Sequence, residues 1–289
     1  MPDVSIAYWI FSAIAIYMMG MMVAMNFFIL YKHTMEVKTW KKIEYQLILL
    51  RVTIDAFNGL SGGSYLIITV INLFCDFASY NVTFMFGLVG FNLMEIRSFL
   101  AAIIAIERVL ATTIPLKFYR YRSRVSNSPI VIFILSTGVA CNVVLFKFCG
   151  YRFEIVPGCT NFNCATPICF QRYSSITRMV YSTTNVCFSV VLCYKLFWLS
   201  WKQTKVSPDI RKANWLSLTD GLTSFWLELL PWVCSYYGII DTKPLGPIIG
   251  ALRTTGRVIE TFVMLKLMRK DVVTVQPPTF SLTTRNNLK

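Results

Sequence analysis

Long apolar runs broken by short polar, mostly basic, segments dominate the chain. A bilayer core about 30 Å thick takes roughly 20 helical residues to cross. On that measure the runs predict seven helical spans near residues 6–31, 43–73, 84–109, 129–149, 179–201, 213–240 and 247–268. The first, from Ile6 to Tyr31, carries no charge and is too long for a signal-peptide core, so it counts as a span. Charges interrupt the second and sixth. The reading is an all-α membrane protein, a seven-helix domain over residues 1–270, with 271–289 as a polar tail without expected structure.

Composition agrees with the pattern. Of 289 residues, 55% are hydrophobic and only 15% charged, and the mean hydropathy is +0.57, which excludes a water-soluble enzyme. The net charge of +14 does not point to nucleic acid, because the basic residues lie mainly between the apolar runs, where they orient the chain against membrane lipid. One set of alternate loops holds sixteen of them: Lys32, Lys38, Lys41 and Lys42, then Lys117, Arg120, Arg122 and Arg124, then Lys202, Lys205, Arg211 and Lys212, and Arg269, Lys270, Arg285 and Lys289 in the tail. The other set holds four, Arg152, Arg172, Arg178 and Lys243. Positive loops stay in the cytoplasm, so the N-terminus is expected outside and the C-terminus inside. The glycosylation sequon Asn81-Val82-Thr83 then falls on an outer loop close to the membrane. Cys159, Cys164 and Cys169 cluster in another outer loop; with Cys75 at the end of the second span they make four disulfide candidates and three possible pairings. A bridge from Cys75 to one of the three is expected, tying that loop across the bundle.

Ionisable groups inside spans are costly and normally face the interior. Arg51 and Asp55, four residues apart, share a helix face and can pair. Glu95 and Arg97 are two apart, so they diverge and each needs a partner on another helix. Asp220 and Glu228 on the sixth span, with Arg253, Arg257 and Glu260 on the seventh, complete a nearly balanced set. The set reads either as a network that fixes packing or as the bistable element of a switch. Gly59 and Gly63 on one face admit a close neighbour, and Pro231 is expected to kink the sixth span. The only histidine, His33, lies in an inner loop, and the cysteine spacing is poor for zinc, so neither hydrolytic triads nor a metal site are expected. Asp55 and Asp220 leave an aspartyl-protease reading, but neither sits in the motif such proteases carry.

At the inner end of the third span the chain reads Ile106-Glu107-Arg108-Val109, followed by Pro115-Leu116-Lys117-Phe118-Tyr119. This resembles the acidic-arginine-aromatic motif and second inner loop of rhodopsin-like G-protein-coupled receptors. The longer string from Met94-Glu95-Ile96-Arg97-Ser98-Phe99-Leu100 through Glu107-Arg108 to Arg122 looks like the nematode serpentine chemoreceptors, most like their class bc group. That resemblance implies a G-protein-coupled receptor of sensory neurons, at the plasma membrane and in cilia. It would bind a small outside molecule and signal through a heterotrimeric G protein, with Glu107, Arg108, Pro115 and Tyr119 at the coupling face. The chain departs from the rhodopsin-like pattern at Val109, and at Glu260-Thr261-Phe262-Val263-Met264 where Asn-Pro-x-x-Tyr is usual. No cofactor is expected: Arg253 and Arg257 stand where a retinal-binding lysine would, and arginine does not form the Schiff base. A ligand pocket is expected between the third, fifth, sixth and seventh spans, lined by Asn92, Tyr181, Trp232, Tyr236 and Arg253. The expected resting restraint is Glu107 holding Arg108. A seven-span transporter and a ligand-gated channel remain as alternatives.

Overall fold

A computed structural model of the chain describes residues 6–35, 43–74, 80–122, 126–153, 162–201, 208–237 and 248–269. Each segment is built on helix, as lipid demands of a backbone that must satisfy its own hydrogen bonds. In chain order these are α1 (Ile6–Met35), α2 (Ile43–Asn72), α3 (Tyr80–Thr113), α4 (Pro115–Arg122), α5 (Ser128–Val143), α6 (Phe162–Ala165), α7 (Ile168–Trp201), α8 (Pro208–Ser224), α9 (Leu230–Tyr236) and α10 (Ile248–Arg269). Among the described residues no strand occurs. Helix α3 is the axis of the bundle, packed against α2, α5, α7 and α8, while α1 closes the ring between α2 and α10.

Five helices are long and apolar enough to cross a membrane: those within Ile6–Lys32, Gln46–Asn72, Asn81–Thr113, Ser128–Phe148 and Ile168–Trp198. The sixth expected span is α8 and α9 joined by a π turn at Phe225–Leu229. The seventh is α10, whose Arg253, Arg257 and Glu260 are all buried. Charge turned inward lowers the apolarity of both segments without exposing it to lipid. The irregularity expected at Pro231 takes the form of that π turn. It widens the helix just where the carbonyl of Leu227 would otherwise meet the proline ring.

The fifth span begins at Ile168 rather than near residue 179, so Arg172 and Arg178 belong to a helix and not to the preceding loop. Gly59 does admit a neighbour: a methyl group there would lie 2.6 Å from Cγ2 of Val23 on α1. Inside the helices, hydroxyls of Thr53, Thr69, Thr254 and Thr261 donate to the carbonyl four residues back. That satisfies them without a partner helix.

The end of the bundle near the start of α3 is capped by aromatic packing. Phe84, Leu88 and Phe91 of α3 bury against Tyr151, Phe162 and Phe170. The Phe84 and Tyr151 rings stack at 4.9 Å, and the Phe162 amide donates to the Tyr65 hydroxyl at 2.7 Å. Helix α5 runs through a π turn, Val144–Phe148, into Gly150, whose φ of 62° suits glycine. The chain reverses there, and Cys149 meets Cys169 in a disulfide with Cα atoms 5.7 Å apart. Cys169 therefore takes Cys149, a residue outside the four candidates, which removes Cys169 as the expected partner of Cys75. Cys75 and Cys159 lie outside the described residues, as does the side chain of Cys164.

Candidate functional site

Six charged side chains meet in the middle of the bundle: Arg51 and Asp55 from α2, Arg97 from α3, Asp220 from α8, and Arg257 and Glu260 from α10. All six are at most 5% exposed. Arg97 is the hub. Its Nη2 lies 2.8 Å from Asp220 Oδ1 and 2.6 Å from Glu260 Oε2, and its Nε is 3.5 Å from Asp55 Oδ1. Arg51 pairs with Glu260, with Asp220 at 3.0 Å and with Asp55 at 3.8 Å. Arg257 Nη1 stands 3.8 Å from Asp55 Oδ1. Asn185 of α7 donates to Asp220 Oδ2 and to Ser224 Oγ, both at 3.2 Å, and the Thr223 hydroxyl donates to Glu260. Three cations and three anions cancel, which is the condition under which buried charges are tolerated at membrane depth.

A second layer lies toward the aromatic cap. Glu95 turns away from Arg97, as the two-residue spacing requires, and takes Arg178 of α7 at 2.7 Å with the Thr177 hydroxyl at 3.2 Å. The Arg178 guanidinium also sits 4.7 Å from the Phe91 ring centroid. Glu228, on the π turn, stands 2.9 Å from Arg253 Nε. The N–H is not aimed at the oxygen, and both atoms are buried without a hydrogen bond.

The nine residues of the expected polar network therefore fall into these two layers. The expected pocket residues scatter more widely. Asn92 donates to Asn142 of α5 at 3.0 Å, and Tyr181 packs on Phe99 with centroids 5.3 Å apart; Phe99 in turn meets Phe133 of α5. Both are thus engaged on the α5 side of α3, where an amide and a ring find partners of their own kind. Trp232 is half-buried on α9, and the side chain of Tyr236 lies outside the described residues. Arg253 joins the charge layers.

At the other end of α3, the Glu107 carboxylate accepts from Arg122 Nε of α4 at 2.7 Å. Arg122 also donates to the Asn127 side chain, and Asn127 to Gln46 of α2. Asn127 precedes α5 without capping it by its side chain. This chain of contacts stitches α4 to α3, α5 and α2, so the expected partner of Glu107, its neighbour Arg108, gives way to Arg122. Arg108 is buried at 3% exposure. Pro115 opens α4 and is exposed, and the Tyr119 side chain is not among those described.

Sequence reasoning passed over Arg178, Asn185, Ser224, Arg122 and Asn127. One signal was available. Asn214, Ser217, Asp220 and Ser224 recur at three- and four-residue spacing and are all buried, which marks the inward face of α8. Arg178 gave no such signal, since a cation beside a polar stretch reads as loop.

The family model described as serpentine type 7TM GPCR chemoreceptor Srbc matches residues 4–272. No curated protein matches the chain.

Proposed function

Because the chain belongs to the Srbc family of serpentine chemoreceptors, we propose that it is a chemosensory receptor of the plasma membrane and sensory cilia. It binds a small molecule from outside and activates a heterotrimeric G protein at its inner face. The family is one of multi-pass membrane receptors and not of enzymes. The observation that carries the coupling step is the neutral six-charge cluster joining α2, α3, α8 and α10. Arg51 and Arg97 share Asp220 and Glu260 as partners, so a small shift of α8 exchanges partners instead of stripping a buried charge bare.

In this reading the ligand shifts the segments carrying Glu228 and Arg253, the cluster re-pairs, and the inner half of α8 moves away from α3. The inner end of α3 then becomes available to the G protein. Glu107 acts through Arg122, which holds α4 against α3 at rest, and Arg108 provides the buried cation that the opened cleft presents. The basic inner loops speed the encounter.

The test is nucleotide exchange on a panel of purified G-protein α subunits, using membranes that carry wild-type chain or Arg108→Ala, with pooled volatile and water-soluble chemicals. Exchange that needs Arg108 at matched surface expression supports the reading. Exchange unaffected by Arg108→Ala removes the proposed role of Arg108. If no subunit responds, the seven-span transporter or channel becomes the reading to pursue, by solute and ion flux.

A further inference from the structure

We propose that Arg253 anchors an oxyanionic group of the ligand, a carboxylate or sulfate, and that Glu228 is the internal counter-ion this group displaces. The inference rests on the receptor reading and names the chemistry of its ligand.

A guanidinium offers five N–H donors in a planar fork. Arg97 meets two carboxylate oxygens within 2.8 Å through Nη2 alone. Arg253 is also deeply buried, at 8% exposure, yet among the described residues its guanidinium donates only from Nη1 to the thioether of Met94 at 3.9 Å. Thioether sulfur is a weak acceptor. Glu228 neutralises the charge of Arg253 at 2.9 Å but leaves Nε and its own Oε1 without a hydrogen bond. The charge is compensated, but Nε has no acceptor and Nη1 only a weak one, an arrangement that a group able to accept two N–H bonds in one plane would improve.

Glu228 is also a partner that can leave. Glu95 is held in aligned geometry by both Arg178 and Thr177. Glu228 stands on the π turn Phe225–Leu229, two residues before Leu230-Pro231, where proline supplies no N–H to the helix ladder. Moving Glu228 therefore disturbs a part of the sixth span where the helix ladder already lacks a bond. Arg253 lies one helical turn from Arg257 on the same face of α10, and Arg257 faces Asp55 in the central cluster. An anion that takes Arg253 away from Glu228 frees the α8–α9 junction from α10 directly beside that cluster, which links binding to the switch.

The experiment uses the purified full-length chain in nanodiscs of zwitterionic lipid, read by thermal midpoint against concentration. Probes are butanoate, hexanoate, octanoate and hexyl sulfate, with methyl hexanoate and hexylamine as controls. The anions should raise the midpoint of the wild type while the ester and amine do not. Glu228→Gln keeps the side-chain shape and removes the competitor, so it should respond at concentrations lower by about tenfold. Arg253→Gln should not respond, and Arg253→Lys should respond weakly, since its ammonium lacks the fork.

No anion response in wild type or Glu228→Gln, no gain in Glu228→Gln, or an undiminished response in Arg253→Gln overturns the proposal. If Arg253→Gln does not fold, the Glu228→Gln result decides alone. Anion binding through Arg253 without nucleotide exchange leaves the site standing and removes the receptor reading. Exchange driven only by compounds that act equally on Arg253→Gln does the reverse.

Discussion

Arg97 touches carboxylates on three other helices, so its loss leaves Asp55, Asp220 and Glu260 short of a counter-charge in a buried interior. Arg97→Met should therefore cost about 3–5 kcal/mol, seen as a fall in the thermal midpoint and in surface expression. Arg97→Met combined with Asp220→Leu should be less damaging than the sum of the two single changes, because the pair leaves together. Additive losses would show that the two residues act independently. This part of the site was legible from spacing: Glu95 and Arg97 had to diverge, and Arg51 and Asp55 had to share a face. The partners were less legible. Arg178 and Arg122 meet their acids only through the rotation and packing of separate helices, which residue spacing within one helix does not encode.

Five of the expected spans fall on helices long and apolar enough to cross a membrane, because each long apolar run had to close its backbone hydrogen bonds internally; the sixth and seventh fall on the more polar α8–α9 and α10. Hydropathy misplaced the start of α7 by eleven residues, from 179 to Ile168, since Arg172, Arg178 and their polar neighbours resemble a loop until their partners are known. Contacts between elements were out of reach for the same reason. Helices α7 and α8 meet where Gly221 faces Ser189, and a methyl group on Gly221 would collide with the Ser189 Oγ and Cβ atoms while standing 3.9 Å from its Cα. Gly221→Ala should destabilise the bundle by about 1–3 kcal/mol through overpacking. Ser189→Gly should restore most of that loss, whereas Ser189→Ala, which keeps the colliding Cβ, should restore little. Thermal midpoints of the three variants in detergent check this, and equal rescue by both would mean that the helices do not approach here as described.

For the whole molecule, the expected orientation rests on charge. Sixteen basic residues against four already favoured an outside N-terminus. Arg178 is spent on Glu95 and Arg122 on Glu107, which takes one residue from each set and leaves fifteen against three. The same orientation puts the Cys149–Cys169 bridge in the oxidising compartment. Cys149→Ser and Cys169→Ser should each cost on the order of 2–4 kcal/mol, and the double variant should be no worse than either, because one bond is lost in all three. The sequon is a weaker guide to topology than it looked. Asn81 is exposed in the first turn of α3, but the hydroxyl of the buried Thr83, which the sequon needs, accepts from Asn72, so Asn81→Gln should leave gel mobility unchanged. Orientation therefore needs a direct probe. An epitope placed ahead of Ile6 should bind antibody on intact cells, and one placed after Arg269 should bind only after permeabilisation. The opposite staining would put Glu107, Arg122 and the basic loops outside, away from any G protein, and the inner-face coupling derived from them would fall with the orientation.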